Sequence, residues 1–233
     1  MAIKAAVFDV FGTVVDWRAG VAGEVAAQFR AKGLEHDAGA FADAWRGEYQ
    51  PAMARVRSGA RGYVPLDRLH RENLDIVLAA RGLEAAFDPV ERDALNHAWE
   101  RLPPWPDSVA GVAAIREKSP VATCSNGSIA LMVSLARFAG LSWDAILGAE
   151  IARGYKPDPK VYQASAAALG FAADEVLMVA AHNSDLAAAR AAGLKTAFIP
   201  RPDEKGAGRG ETRAEADWDL IAEDLVDLAR RIG

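Results

Sequence analysis

Four apolar runs of strand length punctuate the chain, at residues 3–10 (IKAAVFDV), 120–125 (PVATCS), 176–181 (VLMVAA) and 195–199 (KTAFI). The first three are rich in Val or flanked by it, and each leads into small or polar residues and then a helical pattern. That sequence of features predicts buried parallel strands. The fourth run stops at Pro200 and predicts a further strand. Residues 17–102 carry amphipathic stretches and no convincing strand, so this segment is expected to be helical. Within it Phe41, Ala44, Trp45 and Tyr49 recur at i, i+3, i+4 and i+8, one stripe of a helix, with Arg46 at its edge.

The stretch Leu102-Pro103-Pro104-Trp105-Pro106-Asp107 cannot continue a helix, and Asp107 is placed to cap the next one. It predicts a hinge back into the sheet. Residues 201–212 mix Gly, Pro and charge and predict a surface loop; residues 218–232 predict a closing helix. The expected fold is therefore α/β with a parallel sheet and an all-helical insertion after the first strand. No internal repeat or low-complexity tract occurs.

The 233 residues are 51% hydrophobic and 25% charged, which excludes a disordered chain. With 27 Lys and Arg against 32 Asp and Glu, and no long block of one sign, nucleic acid is not the expected partner. One cysteine, Cys124, excludes an intramolecular disulfide, and with only four His it argues against a Cys/His zinc cage. A reducing cytoplasm is the expected setting. No uncharged apolar run approaches the roughly 18 residues of a membrane span. Asp9 interrupts the apolar N-terminal stretch and no cleavage site follows, so the chain is expected to be mature from its start.

In α/β sheets ligands bind beyond the carboxyl ends of the strands, so the residues there are the candidates. Asp9 ends the first run and is followed by Gly12 and Thr13; alone, such an Asp also reads as a turn cap. After the second run, Ser125-Asn126-Gly127 offers side-chain and backbone donors to an anion, or simply a turn and helix cap. Lys156 sits in Gly-Tyr-Lys-Pro-Asp-Pro, where a lone Lys is ordinarily solvated. His182, Asn183 and Asp185 follow the third run, where the alternative is a helix N-cap at Asn183 or Ser184 with Asp185 facing the helix dipole.

In this order, Asp-x-x-Gly-Thr, Ser-Asn-Gly, Gly-Tyr-Lys-Pro and a polar cluster with Asp, the sequence resembles the haloacid dehalogenase superfamily over nearly its whole length. The resemblance implies a Rossmann-like core from residues 1–16 and 103–233 and a helical cap from residues 17–102. Phosphatases of the superfamily carry a second Asp two positions after the first, which protonates the leaving alcohol. Here that position is Phe11, which transfers no proton, whereas a halide leaves as an anion and needs none. The aromatic residue is similar to the 2-haloacid dehalogenase branch. Arg46 resembles that branch's halide-receiving cap arginine, and Tyr162 keeps its Lys-x5-Tyr spacing from Lys156.

The resemblance implies that Asp9 attacks C2 of a short 2-haloalkanoate, leaving an aspartyl ester that water cleaves to the 2-hydroxy acid. Thr13, Ser125 and Asn126 would bind the substrate carboxylate or orient Asp9, with Phe11, Tyr162 and Asn183 as further substrate contacts. Lys156 would keep Asp9 ionised, Asp185 would pair with Lys156 and help position or deprotonate water, and His182, as a neutral imidazole, would serve as base or donor. No metal or other cofactor is expected, and an L-2-haloacid preference and a homodimer are left open by the family. The last motif departs from the branch's Ser-x-Asn-x-x-Asp: Ala180 replaces Ser, His182 replaces Asn, and Ser184 replaces an aromatic that lines the halide pocket. A pocket with less apolar bulk and more donors suits a compact, strongly hydrated halide, so fluoroacetate is an expected substrate. The alternatives are a Mg²⁺-dependent phosphatase of small phosphate esters and a non-catalytic binding protein of the same fold.

Overall fold

The computed structural model describes residues 3–232; residues 1, 2 and 233 of the expected core lie outside the described residues. Strand β1 (Ala5–Phe8) is followed by five helices: α1 (Trp17–Ala31), α2 (Ala38–Gly47), α3 (Tyr49–Arg57), α4 (Leu66–Ala80) and α5 (Pro89–Asn96). The chain returns through α6 (Ser108–Arg116), β2 (Val121–Thr123), α7 (Ile129–Ala139), α8 (Ala149–Ala152) and α9 (Pro159–Ala168). It closes with β3 (Val176–Ala180), α10 (Asn183–Ala191), β4 (Lys195–Phe198), β5 (Leu220–Ile221) and α11 (Leu225–Arg231).

All strands pair in parallel, in the order β2-β1-β3-β4-β5. Phe8 is level with Thr123 on one side and with Val179 on the other, so the chain leaves β1, β2 and β3 at one edge of the sheet. Both faces of the central strands are covered, which is why their sequences are apolar without alternation. Ala6, Phe8, Leu177 and Val179 belong to a core shared with Val112, Ile115, Leu225 and Leu228 of α6 and α11. Ala5, Val7, Met178 and Ala180 pack with Val161, Ala166, Leu186 and Ala189 of α9 and α10. The result is three layers, helices on both faces of one sheet.

The segment between β1 and β2 is helical throughout its regular structure. Helix α1 starts at Asp16, whose side chain accepts the Ala19 N–H, and buries Trp17, Val21, Val25 and Phe29 at four-residue spacing. Helix α4 buries Leu66, Leu69, Leu74, Val77 and Leu78. Trp45 and Trp99 meet edge-to-face at 5.5 Å between ring centroids, both fully buried. No helix among the described residues is long and apolar enough to cross a membrane.

Three local expectations are corrected and a fourth is refined. The stripe at 41, 44, 45 and 49 is split: α2 ends at Gly47, Tyr49 opens α3, and Phe41, Ala42 and Trp45 form the buried face. Asp107 precedes α6 without capping it; its carboxylate takes two bonds from Arg201 (2.7 and 2.8 Å) and one from the Leu225 N–H of α11. Residues 218–232 contain β5 before α11, a strand of two residues that leaves no periodic trace. The segment 201–212 is the expected surface loop over most of its length, but it is pinned by two buried side chains, Arg201 and Glu204, and Arg201 also donates to the Thr13 carbonyl.

Candidate active site

Beyond the carboxyl ends of β1, β2 and β3 lies a cavity of about 820 Å³. Asp9 enters it as the first residue past β1, its backbone N–H still bonded to Val179 of β3. Thr13 curls back so that its hydroxyl donates to Asp9 Oδ2 at 2.8 Å and accepts the Ala181 N–H at 2.9 Å. It therefore fixes the carboxylate and ties the β1 loop to the end of β3.

Lys156 Nζ donates to Asp9 Oδ1 at 2.8 Å and to Asp185 Oδ2 at 2.6 Å. Tyr162 of α9, six residues further along, donates its hydroxyl to Asp185 Oδ1 at 2.5 Å. Asn126 accepts the Lys156 backbone N–H on Oδ1 and donates from Nδ2 to the Tyr49 hydroxyl, so the β2 turn positions both the lysine and the helical segment. All three members of the trio are nearly closed to solvent, with side-chain exposures of 7, 10 and 11% for Lys156, Asp9 and Asp185. Burial alone would push the Asp9 pKa up, but the Lys156 charge and the His182 ring outweigh it and hold the carboxylate well below its usual range. Burial likewise works against the Lys156 ammonium, and Asp185 and Asp9 together raise its pKa well above the ordinary lysine value.

His182 lies between two carboxylates, Nδ1 3.2 Å from Asp9 Oδ2 and Nε2 3.1 Å from Glu204 Oε2. Burial disfavours its charge, yet hydrogen bonds and Coulomb attraction to Asp9 and Glu204 push its pKa up to about 10. The neutral imidazole expected near pH 7 is thus replaced by an imidazolium in the free site. Burial raises the Glu204 pKa, and the His182 and Trp17 donors bring it below the usual value. Trp17 Nε1 holds the other Glu204 oxygen at 2.9 Å.

Arg46, from α2, lines the same cavity. Its Cζ lies 3.8 Å from the Tyr49 ring centroid, 5.2 Å from Trp17 and 5.8 Å from Phe11, and its buried Nη1 has no hydrogen-bond partner. Phe11 replaces any acid at this wall with a ring face. A guanidinium wrapped in π-faces keeps an open, poorly hydrated positive site for an anion.

The structure thus brings Asp9, Phe11, Arg46, Asn126, Lys156, Tyr162, His182 and Asp185 to one cavity. Three expected contacts lie behind its wall, where Thr13 takes the alternative role of orienting Asp9. Thr13 and Ser125 are fully buried, the latter accepting the Gly127 N–H. Asn183 is a latch: it donates to Glu211 and to the Arg213 carbonyl and accepts from Trp218 and the Glu215 N–H, which leaves nothing for a substrate. Helix α10 has His182 at its N-cap without a side-chain capping bond, so neither Asn183 nor Ser184 caps it. Cys124, buried behind the trio with its thiol pushed up to about 11, is an inert neighbour.

Sequence reasoning missed Glu204, Trp17 and the rim residues Arg57, Lys205 and Arg209. Trp17 heads an amphipathic helix and looks like packing; Glu204 sits among breakers and looks solvated. The one signal for Glu204 lies elsewhere: Gly12 has φ +90°, and a Cβ there would collide with the Glu204 carboxylate.

A family model of haloacid dehalogenase-like hydrolases matches residues 3–193. An (S)-2-haloacid dehalogenase of Pseudomonas sp. (strain YL) is 30% identical over 225 residues, covering 94% of this chain and 91% of its own length. The crystal structure of a defluorinating L-2-haloacid dehalogenase is 48% identical, with a TM-score of 0.96 over 99% of this chain and 95% of that one. The L-2-haloacid dehalogenase from Xanthobacter autotrophicus, solved with chloropropionic acid covalently bound, is 26% identical with a TM-score of 0.81 over 99% and 98% of the two chains. A match of this extent, on a chain that brings Asp9, Asn126 and Asp185 from three strand ends and Lys156 from the turn before α9 to one cavity, means that the protein belongs to the haloacid dehalogenase-like hydrolases, in their L-2-haloacid dehalogenase branch.

Proposed function

We propose that the protein hydrolyses the carbon–halogen bond of short 2-haloalkanoates, with (S) preference at a chiral C2, to give 2-hydroxy acids and halide. The observation that carries this reading is that one cavity holds both an ionised, buried Asp9 and a half-buried cation, Arg46, whose buried Nη1 is unpartnered. Attack by Asp9 on C2 expels the halide toward Arg46 and forms an aspartyl ester. Lys156 keeps the nucleophile ionised, Asn126 and the rim cation Arg57 attract the substrate carboxylate, and Asp185 with Tyr162 keeps Lys156 in place. The helical segment 17–102 serves as a cap that supplies Arg46, Tyr49 and Trp17 and closes the reaction away from water. The setting we infer is a reducing cytoplasm, in keeping with a single, buried cysteine.

Fluoroacetate is included among the substrates. His182 and Ser184 both line the cavity, so the pocket offers donors where an aromatic would offer only bulk, and a structure 48% identical is of a defluorinating enzyme. The test is incubation, first metal-free and then with Mg²⁺ restored, with chloroacetate, fluoroacetate, L-2-chloropropionate and an aryl phosphate, following halide and phosphate. Halide release that disappears in Asp9→Asn supports the reading. Phosphate release alone, and only with Mg²⁺, overturns it in favour of a phosphatase, and turnover of chloroacetate without fluoride release from fluoroacetate removes the defluorination arm.

A further inference from the structure

Glu204 is a buried carboxylate that the proposed reaction does not use. Its placement is built rather than incidental. The loop carrying it is anchored by Arg201, which donates to the Thr13 carbonyl and grips Asp107 with both terminal nitrogens. The β1 loop leaves room for it by having no side chain at Gly12, and Trp17 fixes one of its oxygens. The other oxygen faces His182 Nε2, and His182 Nδ1 faces the nucleophile, so carboxylate, imidazole and Asp9 stand in line.

We propose that His182, oriented by Glu204, is the base that deprotonates the water cleaving the Asp9 ester, with Glu204 as its positioning residue. This rests on the ester reading above. Asp185 is poorly placed for the task, since Lys156 and the Tyr162 hydroxyl occupy one oxygen each. His182 is next to the reacting carboxylate, and the reaction itself changes its charge environment. While Asp9 is ionised, the ring lies between two negative charges and keeps both protons. When Asp9 bonds to C2 and the halide departs with the bonding electrons, Asp9 becomes a neutral ester and one of those charges is gone. The ring then yields its Nδ1 proton to cavity water and becomes a base on the side facing the ester.

Nδ1 next takes a proton from a water as its oxygen bonds to Asp9 Cγ. Collapse breaks the bond from Cγ to the substrate oxygen, and the remaining proton of the added water passes to that leaving alkoxide. The products are a 2-hydroxy acid, an ionised Asp9 and an imidazolium, the starting state. Over one turnover the site consumes a haloacid and water and releases a hydroxy acid, a halide and one proton. The other ionisable groups on the same cavity are Asp43 and Arg46 from α2, Tyr49 and Arg57 from α3, Lys156, Tyr162 and Asp185 beyond Asp9, and Lys205, Arg209 and Glu211 on the loop with Glu204. None of these bonds to the ring, which Asp9 and Glu204 hold between them.

The experiment is a single turnover of chloroacetate by excess enzyme, quenched in time, with chloride measured by ion chromatography and the carboxymethyl ester by intact protein mass. In Glu204→Gln and His182→Gln the chloride burst is expected within about 10-fold of wild type, while ester decay slows about 100-fold or more, so that esterified protein accumulates. In Glu204→Gln the rising limb of the ester-decay rate moves to lower pH, and Glu204→Asp recovers part of the rate. A purely structural Glu204 would not move that limb. Should Glu204→Gln fail to fold, His182→Gln and Glu204→Asp carry the same readout. Bursts followed by wild-type ester decay, or an unmoved limb, overturn the proposal and leave the ester reading intact. Absence of both chloride and ester in the wild type overturns the two together.

Discussion

Replacing Lys156 by Met tests how much of the site's stability rests on one ammonium. The side chain keeps its length and loses the charge that stands 2.8 Å from Asp9 and 2.6 Å from Asp185. Asp9 retains the His182 imidazolium, so the uncompensated group is Asp185, whose one remaining donor is the Tyr162 hydroxyl. With the side chains of all three residues about nine-tenths buried, removal of one partner belongs to the class that costs about 3–5 kcal/mol. For a chain of this size each kcal/mol moves Tm by about 2–4 °C, so Lys156→Met is expected to melt roughly 6–20 °C below wild type by calorimetry. Adding Asp185→Asn removes the stranded charge and is expected to recover at least half of the loss, with halide release absent in both variants. A single variant melting within about 2 °C of wild type would refute the reasoning, because the trio would then be solvated enough to lose its cation freely. A double variant less stable than the single would refute it differently, by assigning Asp185 a stabilising role independent of Lys156.

The imidazolium gives the fold a pH signature with a definite sign. His182 binds its proton more tightly folded (about 10) than unfolded (6.5), so its contribution is complete below about pH 6.5 and is lost as pH rises toward 10. The loss is about 5 kcal/mol at most, read as a fall in urea midpoint across that window that His182→Gln abolishes. Arg46→Lys keeps a positive charge but replaces a planar cation stacked on Tyr49 with a compact ammonium. Halide release should fall about 10- to 100-fold with the melting temperature nearly unchanged, and equal kcat/KM for wild type and variant across chloro- and bromoacetate would remove Arg46 from the halide's path.

Asp9 and Asp185 were legible because each belongs to a short local pattern just past a strand, and strand ends in a parallel sheet converge; Lys156, in a turn between two helices, was legible only through its Gly-Tyr-Lys-Pro pattern and its place in the ordered set of motifs. Arg46 was legible through its place on an amphipathic helix and the family resemblance. Glu204 was not, because what buries it is a contact between Arg201 and Asp107, 94 residues apart, and a turn of the chain at Gly12. A loop rich in Gly, Pro and charge reads as solvent-facing until such a tether is known. Asn183 failed in the opposite sense. Its amide sits next to the cavity in sequence, but Glu211 and Trp218 reach it from the far side of the same loop and consume its bonding capacity. The protonation of His182 followed from the same omission, since only with Glu204 in place does the ring stand between two negative charges.

The pairing of β1 with both β2 and β3 carries a consequence for how this enzyme can change. The nucleophile, the Asn126 turn and the His182 cluster follow three adjacent strands whose alignment is set by Phe8 lying level with Thr123 and Val179. Strand alignment is discrete: a slip by one residue turns every side chain to the other face, and no fractional slip exists. Distances among those groups are therefore insulated from gradual drift by remote substitutions. Divergence toward other halides or acids is left to the parts that no ladder holds, the helices bearing Arg46 and Trp17 and the tethered loop bearing Glu204.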